Sequence, residues 1–320
     1  MRVNNRSAWN HPIWMLIVVC FLSGTLYPQN DPCQLRRTLI GVSGKNGERS
    51  EGLTVADFNV TVGGKAASLQ SAMLAELPPR VVILVDASAN HDQSTWAATR
   101  AMVEEFLAGF PEVADFTLLA FDDKLQQVVQ QTDRASLQGT MAEMFPSGKR
   151  ESEAGLAKAV KKASSIFDVY RQGDAEFLVT TSDQIRKETE QALRQQRAVG
   201  IRLFGLSFDQ SRHPSALPFD LYMKVEDYSP LGAAAKASGG LWMWFDMSGQ
   251  GGTASLQNAR AAGKGAATLV RNYFTLDLRL TKPLAKPEKL KIELLKSPRV
   301  DAKDIYTAYP QELFPCQSSK

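Results

Sequence analysis

Arg80-Val81-Val82-Ile83-Leu84-Val85-Asp86-Ala87-Ser88-Ala89-Asn90 is a short apolar run that ends abruptly in small, oxygen-bearing residues. A helical pattern over 95–110 follows it, so the run predicts a buried parallel strand feeding a helix. Open α/β sheets bind ligands just beyond the carboxyl ends of their strands. Asp86, Ser88 and Asn90 stand at that edge on alternate positions. They offer a carboxylate, a hydroxyl and an amide carbonyl, all hard oxygen donors suited to Mg²⁺ or Ca²⁺. The same three residues have a plainer use as strand-end groups that satisfy loop amides and cap the next helix.

Outward from this strand, apolar runs alternate with helical patterns. Strands are predicted over 116–121, 176–181, 202–208 and 241–245, and helices near 135–144, 153–170, 184–196, 230–237 and 255–270. Alternation at that spacing makes a doubly wound, mostly parallel sheet. On either side the period falls to two, first over 35–69 and again in 273–280 and 290–295. Pro78-Pro79 closes the first block, and the Lys-Pro pairs at 282–283 and 286–287 turn the second. Neither block alone is large enough to bury a face. One small β subdomain built from 33–77 and 273–320 is therefore expected, with the α/β domain at 80–272 inserted between.

Arg2 and Arg6 precede the apolar stretch 13–22, which gives way to Ser23-Gly24-Thr25. That order is a secretory signal over 1–27, with an uncleaved anchor as the alternative because no Ala-x-Ala site follows. The expected location is outside the cytoplasm: periplasmic, cell-surface or secreted. Signal removal leaves Cys33 and Cys316, one near each end, and two cysteines in an exported chain read as one disulfide. The formal charge of +3 becomes nearly neutral without Arg2 and Arg6, and no basic stripe is present. Nucleic acid and anionic membrane are thereby excluded as partners, apart from membrane contact through the signal or an anchor.

The Asp86-x-Ser88-x-Asn90 stretch resembles the Asp-x-Ser-x-Ser motif of von Willebrand factor type A domains, with Asn90 at the last serine. Over nearly the whole mature chain, the order of motifs is similar to that in exported bacterial von Willebrand factor A-related proteins first noted in Acidobacteria. The matching segments are Gly52 to Phe58 with its Gly63-Gly64-Lys65 turn, Ala120-Phe121-Asp122-Asp123, Thr132 to Leu137, Ala235 to Gly240, and the strand opened by Tyr273. This resemblance implies a metal-ion-dependent adhesion site, in which a second loop adds a threonine and a third, usually Thr-Asp-Gly, adds an aspartate. Here the second loop, 146–155, has no threonine, and Ser152 is its chemical substitute. The third reads Thr180-Thr181-Ser182-Asp183, where Asp183 is either the displaced ligand or the cap of the helix starting at Gln184. The candidate metal residues are thus Asp86, Ser88, Asn90, Ser152 and Asp183. So degenerate a set is expected to bind Mg²⁺ or Ca²⁺ weakly, at about millimolar, or not at all. Asp86→Ala is expected to spare the fold, since the residue ends a strand.

Enzyme signatures are missing. The histidines are His11, His91 and His213, and no Gly-x-Ser-x-Gly, His-Glu-x-x-His or phosphate-loop pattern occurs. His91 reads as a surface-loop residue, Gly263-Lys264-Gly265 as a loosely packed helix, and Trp242-Met243-Trp244-Phe245 as a strand buried in the sheet. The resulting expectation is an exported, non-enzymatic module that binds another protein at the top of the sheet. If a metal is held, an acidic group of the partner completes its shell. The alternative is a metal-independent structural or assembly component of the cell envelope.

Overall fold

β5 (Val81–Asp86) lies at the middle of the central sheet, and its branched apolar side chains suit a strand covered on both faces, as the burial of all six residues shows. The computed structural model describes residues 32–44, 51–76, 78–112, 114–147, 152–167, 171, 173–208, 229–245, 252–296 and 305–316. The expected signal segment, Lys149, Arg150 and His213 lie outside the described residues. β6 (Phe116–Phe121), β8 (Ala175–Thr180) and β9 (Arg202–Ser207) are buried along their whole length, like β5. With β7 (Leu125–Thr132) and β10 (Leu241–Trp244) they form a six-stranded sheet in the order β10-β9-β8-β5-β6-β7. Every pairing is parallel except that of β6 with β7. The doubly wound, mostly parallel sheet expected from the alternation is therefore present. β7 is an addition to it: Gln126-Gln127-Val128-Val129-Gln130-Gln131 has neither an apolar run nor strict alternation to announce a strand.

The helices in chain order are α1 (Gln93–Ala108), α2 (Arg134–Glu143), α3 (Glu153–Ile166), α4 (Lys187–Val199), α5 (Pro230–Ser238) and α6 (Gly252–Arg271). On one face of the sheet Ile83, Val85, Phe106, Phe177, Ala259 and Val270 belong to one apolar cluster, in which Phe106 stacks on Phe177 at 4.0 Å. On the other, Val82, Leu84, Leu156, Leu193, Leu231 and Trp242 form a second cluster. Each such large side chain stabilises by about 1.5 to 3 kcal/mol when fully buried. Gly263 lies in the tight crossing of α6 on α1, since a Cβ there would run into the backbone carbonyl of Met102. The expectation of loose packing at 263–265 is thus corrected: the missing side chain permits close approach. Asp92 starts α1 by accepting the Thr95 N–H at 2.7 Å. Hydrogen bonds from the Thr95 backbone and side chain, then from Ser94, hold its carboxyl at about 2.

Strands from both ends of the chain share two further sheets. One has the order β13-β1-β11-β4, from β1 (Leu35–Gly44), β4 (Ser68–Leu74), β11 (Tyr273–Arg279) and β13 (Ile305–Ala308). The other has the order β14-β12-β2-β3, from β2 (Phe58–Val62), β3 (Lys65–Ala66), β12 (Glu288–Leu294) and β14 (Glu312–Leu313). β1 runs antiparallel to β11 from Leu35 opposite Arg279 to Gly41 opposite Tyr273. Their apolar faces meet in a core that includes Ile40, Phe58, Val60, Phe274, Leu276, Leu290 and Ile292. This is the small β subdomain expected from the two blocks of period two. The Cys33–Cys316 disulfide closes it, with the two Cα atoms 5.3 Å apart.

Glu176, the second residue of β8, is fully buried. It accepts a hydrogen bond from Gln196 Nε2, which also donates to Ser164 Oγ (3.0 Å) and the Val160 carbonyl (3.2 Å). Among the described residues Glu176 Oε2 has no hydrogen-bond partner. Burial pushes the carboxyl up to about 8, against the lowering effect of Gln196, so the acid is neutral at pH 7. The unfolded chain releases this proton near pH 4.3 and the folded chain does so only near 8, so stability falls as pH rises through that window, at up to ~1.4 kcal/mol per unit. Glu176→Gln cannot ionise and is expected to lack this decline, which in the wild type amounts to about 3 to 4 kcal/mol between pH 5 and pH 8. Urea midpoints of both proteins at pH 5 and pH 8 check this. Parallel pH dependences would show that Glu176 does not titrate as its burial requires.

Candidate functional site

The chain leaves β5 towards β6 and β7, then returns to build β8, β9 and β10 on the other side. Strand order therefore reverses between β5 and β8, and the crevice at their carboxyl ends is where an open α/β sheet takes a ligand. Asp86 ends β5 and Thr180 ends β8, so the first and third candidate loops meet there.

Asp86 is fully buried, and its carboxylate is used by donors from both loops. Oδ1 accepts the Ser88 N–H at 2.9 Å. Oδ2 accepts the Thr181 hydroxyl at 2.6 Å, the Thr181 N–H at 3.0 Å and the Thr180 hydroxyl at 3.4 Å. Ser88 is also buried, and its Oγ lies 3.4 Å from the Asn90 N–H that donates to it, while Asn90 itself is exposed. The second loop rests on the first through the Ser147 N–H, which donates to the Ala87 carbonyl at 2.7 Å.

Asp183 and Ser152 stand in different surroundings. The Asp183 carboxylate accepts Trp242 Nε1–H at 3.1 Å and Trp244 Nε1–H on its other oxygen. It does not cap α4, which begins at Lys187 after Arg186. Ser152 precedes α3, is buried and makes no side-chain cap hydrogen bond. A hard divalent cation takes six or more oxygens. Here the five candidates supply one carboxylate that accepts one protein hydrogen bond on Oδ1 and three on Oδ2, and a second that accepts from two indoles. Among the described residues no group of three His, Cys, Asp or Glu side chains is arranged to hold a metal ion. Of the five candidate residues, Asp86, Ser88 and Asn90 are linked by hydrogen bonds within the first loop, whereas Asp183 accepts from two indoles.

Two further groups at this edge were not assigned from sequence. Asp122, just beyond β6, is buried and accepts hydrogen bonds from the Lys124 N–H at 3.0 Å and from Gln126. Desolvation would raise its carboxyl, but bonds from Ser147, the Lys124 backbone and Gln126 prevail and hold it at about 2. Its signal was the Phe121-Asp122 strand end, the same apolar-to-acid step as Val85-Asp86. His91 is buried rather than on the loop surface, packed edge-on against Trp96 and Phe208 at 5.5 and 5.9 Å. Both ring nitrogens are shut away from solvent, near the Asp86 backbone. Desolvation lowers the imidazole pKa against the pull of nearby Asp86 and Asp92, so the ring is neutral at pH 7. Beside this aromatic group, Trp96 Nε1 donates to the Met144 carbonyl at 3.2 Å, and the next side chain, Phe145, is 73% exposed.

No protein-family model matches the chain, and no curated protein matches it. Solved structures do. The chain is similar to a von Willebrand factor type A protein from Catenulispora acidiphila, at 10% identity over 82% of this chain and 70% of that one, with a TM-score of 0.42. It is similar to BatB from Bacteroides thetaiotaomicron at 12% identity, over 59% of this chain and 98% of that one, with a TM-score of 0.40. Proximal thread matrix protein 1 from the mussel byssus, with a zinc-occupied adhesion-site motif, is similar at 12% identity over 65% and 50% of the two chains, with a TM-score of 0.44. These likenesses concern the fold alone, and the fold itself rests on the strand order and pairings given above.

Proposed function

We propose that this chain is an exported, non-catalytic binding module of the von Willebrand factor A type that recognises another protein at the carboxyl edge of its parallel sheet. Phe145 is the observation that carries the reading. It is the most exposed large apolar side chain among the described residues, and the backbone on either side of it is fixed to the switch-point edge by the Trp96–Met144 and Ser147–Ala87 hydrogen bonds. An aromatic side chain presented from a fixed backbone is an effective interface anchor, because little rotamer freedom is lost on binding. Export is supported by the basic, apolar, small order of the N-terminal residues and by the Cys33–Cys316 disulfide. A non-catalytic role is supported by His91, the one histidine among the described residues, whose packing between Trp96 and Phe208 leaves it no path to act as a base.

Phe145→Asp is expected to weaken capture of the partner by the tagged full chain about thirtyfold, the scale of a 2 kcal/mol anchor. Its thermal midpoint should stay at the wild-type value, since the side chain is exposed. Undiminished capture by this variant would remove the reading. A complex that forms once and never exchanges would instead point to permanent assembly in the cell envelope.

A further inference from the structure

We infer that a hydrogen-bond latch between Thr181 and Asp86 takes the place of a cation at the switch-point edge, so that this edge holds its shape without metal. The inference rests on the proposed function only in treating the edge as the binding edge, and its test needs no partner.

Thr181 occupies the second position of Thr180-Thr181-Ser182, where the sequence resemblance calls for the aspartate of Thr-Asp-Gly. It brings a hydroxyl donor instead of a carboxylate. That hydroxyl and the residue's own N–H both reach Asp86 Oδ2, at 2.6 and 3.0 Å, and the Ser88 N–H occupies Oδ1 at 2.9 Å. Three donors converge on this one carboxyl group, and burial keeps water from competing for it. A cation entering here would have to break the Thr181 bonds and would gain a single carboxylate. Of the other acids at the edge, Asp183 accepts from Trp242 and Trp244, and Asp122 accepts from the Lys124 N–H and from Gln126 of β7. The latch also joins the end of β5 to the end of β8 directly, which is the mechanical task an ion would perform between the two loops.

The test is thermal unfolding of the full exported chain in EDTA and in millimolar Mg²⁺, Ca²⁺ or Mn²⁺, with the electron paramagnetic resonance signal of free Mn²⁺ read alongside. The wild-type midpoint should be the same in all four conditions to within about 1 °C, and the Mn²⁺ signal should remain that of the free ion. Thr181→Ala should lower the midpoint by about 3 to 6 °C, whereas Thr181→Ser, which keeps the hydroxyl, should stay near the wild type. The inference is overturned if a divalent ion raises the wild-type midpoint, if Mn²⁺ binds and Asp86→Asn abolishes that binding, or if the alanine variant matches the serine variant. Should Thr181→Ala fail to fold, the serine variant and the Mn²⁺ signal still decide. Loss of the Phe145 effect would leave each of these outcomes unchanged.

Discussion

Replacing Cys33 and Cys316 together by serine is expected to cost the oxidised protein about 3 to 5 kcal/mol. The two cysteines are 283 residues apart in sequence, so the bridge removes a large share of the disorder available to the unfolded chain. In the folded state it also pins the segment after β14. Beside the bridge, Arg36 donates to the Phe314 carbonyl at 2.8 Å, and Arg197 of α4 pairs with Glu312 at 3.0 Å and lies over the Phe314 ring. Hydrogen exchange in the double-serine variant should therefore rise first in β1 and β14, while β5 and β8 keep their protection. A urea midpoint equal to that of the wild type would show that the bridge contributes nothing.

Asp86→Ala is expected to destabilise by about 3 kcal/mol, through loss of the acceptor for four donors in a buried place. The Ser88 N–H and the Thr181 N–H and hydroxyl would lose the oxygens they now reach, while the Thr180 hydroxyl keeps the Ser182 carbonyl at 3.2 Å. This reverses the expectation from sequence that the substitution spares the fold. Asp86→Asn keeps one oxygen in place and should lose about half as much. Urea denaturation of the two variants against the wild type measures both values. Wild-type stability in Asp86→Ala would mean that the carboxylate holds nothing together.

The fold was legible because its signals are local. Val81 to Val85 is apolar on both faces, and the period-two blocks at the two ends could find cover only in each other, as β1 with β11 and β2 with β12 now do. The switch-point edge was legible too, since a strand ending in Asp86 places a carboxylate there whatever its use. The use itself was not legible. Asp183 looked available as a ligand because nothing near it in sequence would occupy it; the indoles that do so come from β10, about sixty residues on. His91 looked exposed for the same reason, and its burial depends on Phe208 at the end of another strand. Glu176 sits next to Phe177-Leu178-Val179, but only parallel pairing on both sides, with Val82 and Leu203, encloses it fully. Residue types thus located the site, and contacts distant in sequence determined which of its groups were already taken. Thr181 was the local clue to that outcome, a hydroxyl donor standing where the implied site needs an acceptor.

The most direct measurement replaces Phe145 by the photo-crosslinking analogue p-benzoylphenylalanine in the full chain and irradiates it in the presence of EDTA. The same analogue in place of Met73, an exposed residue of β4, serves as the comparison. A discrete cross-link to another protein is expected from position 145 and none from position 73, with the yield unchanged when Mg²⁺ replaces EDTA. Cross-linking that appears only with the divalent ion, or equally from both positions, would contradict a protein-binding edge that works without a metal.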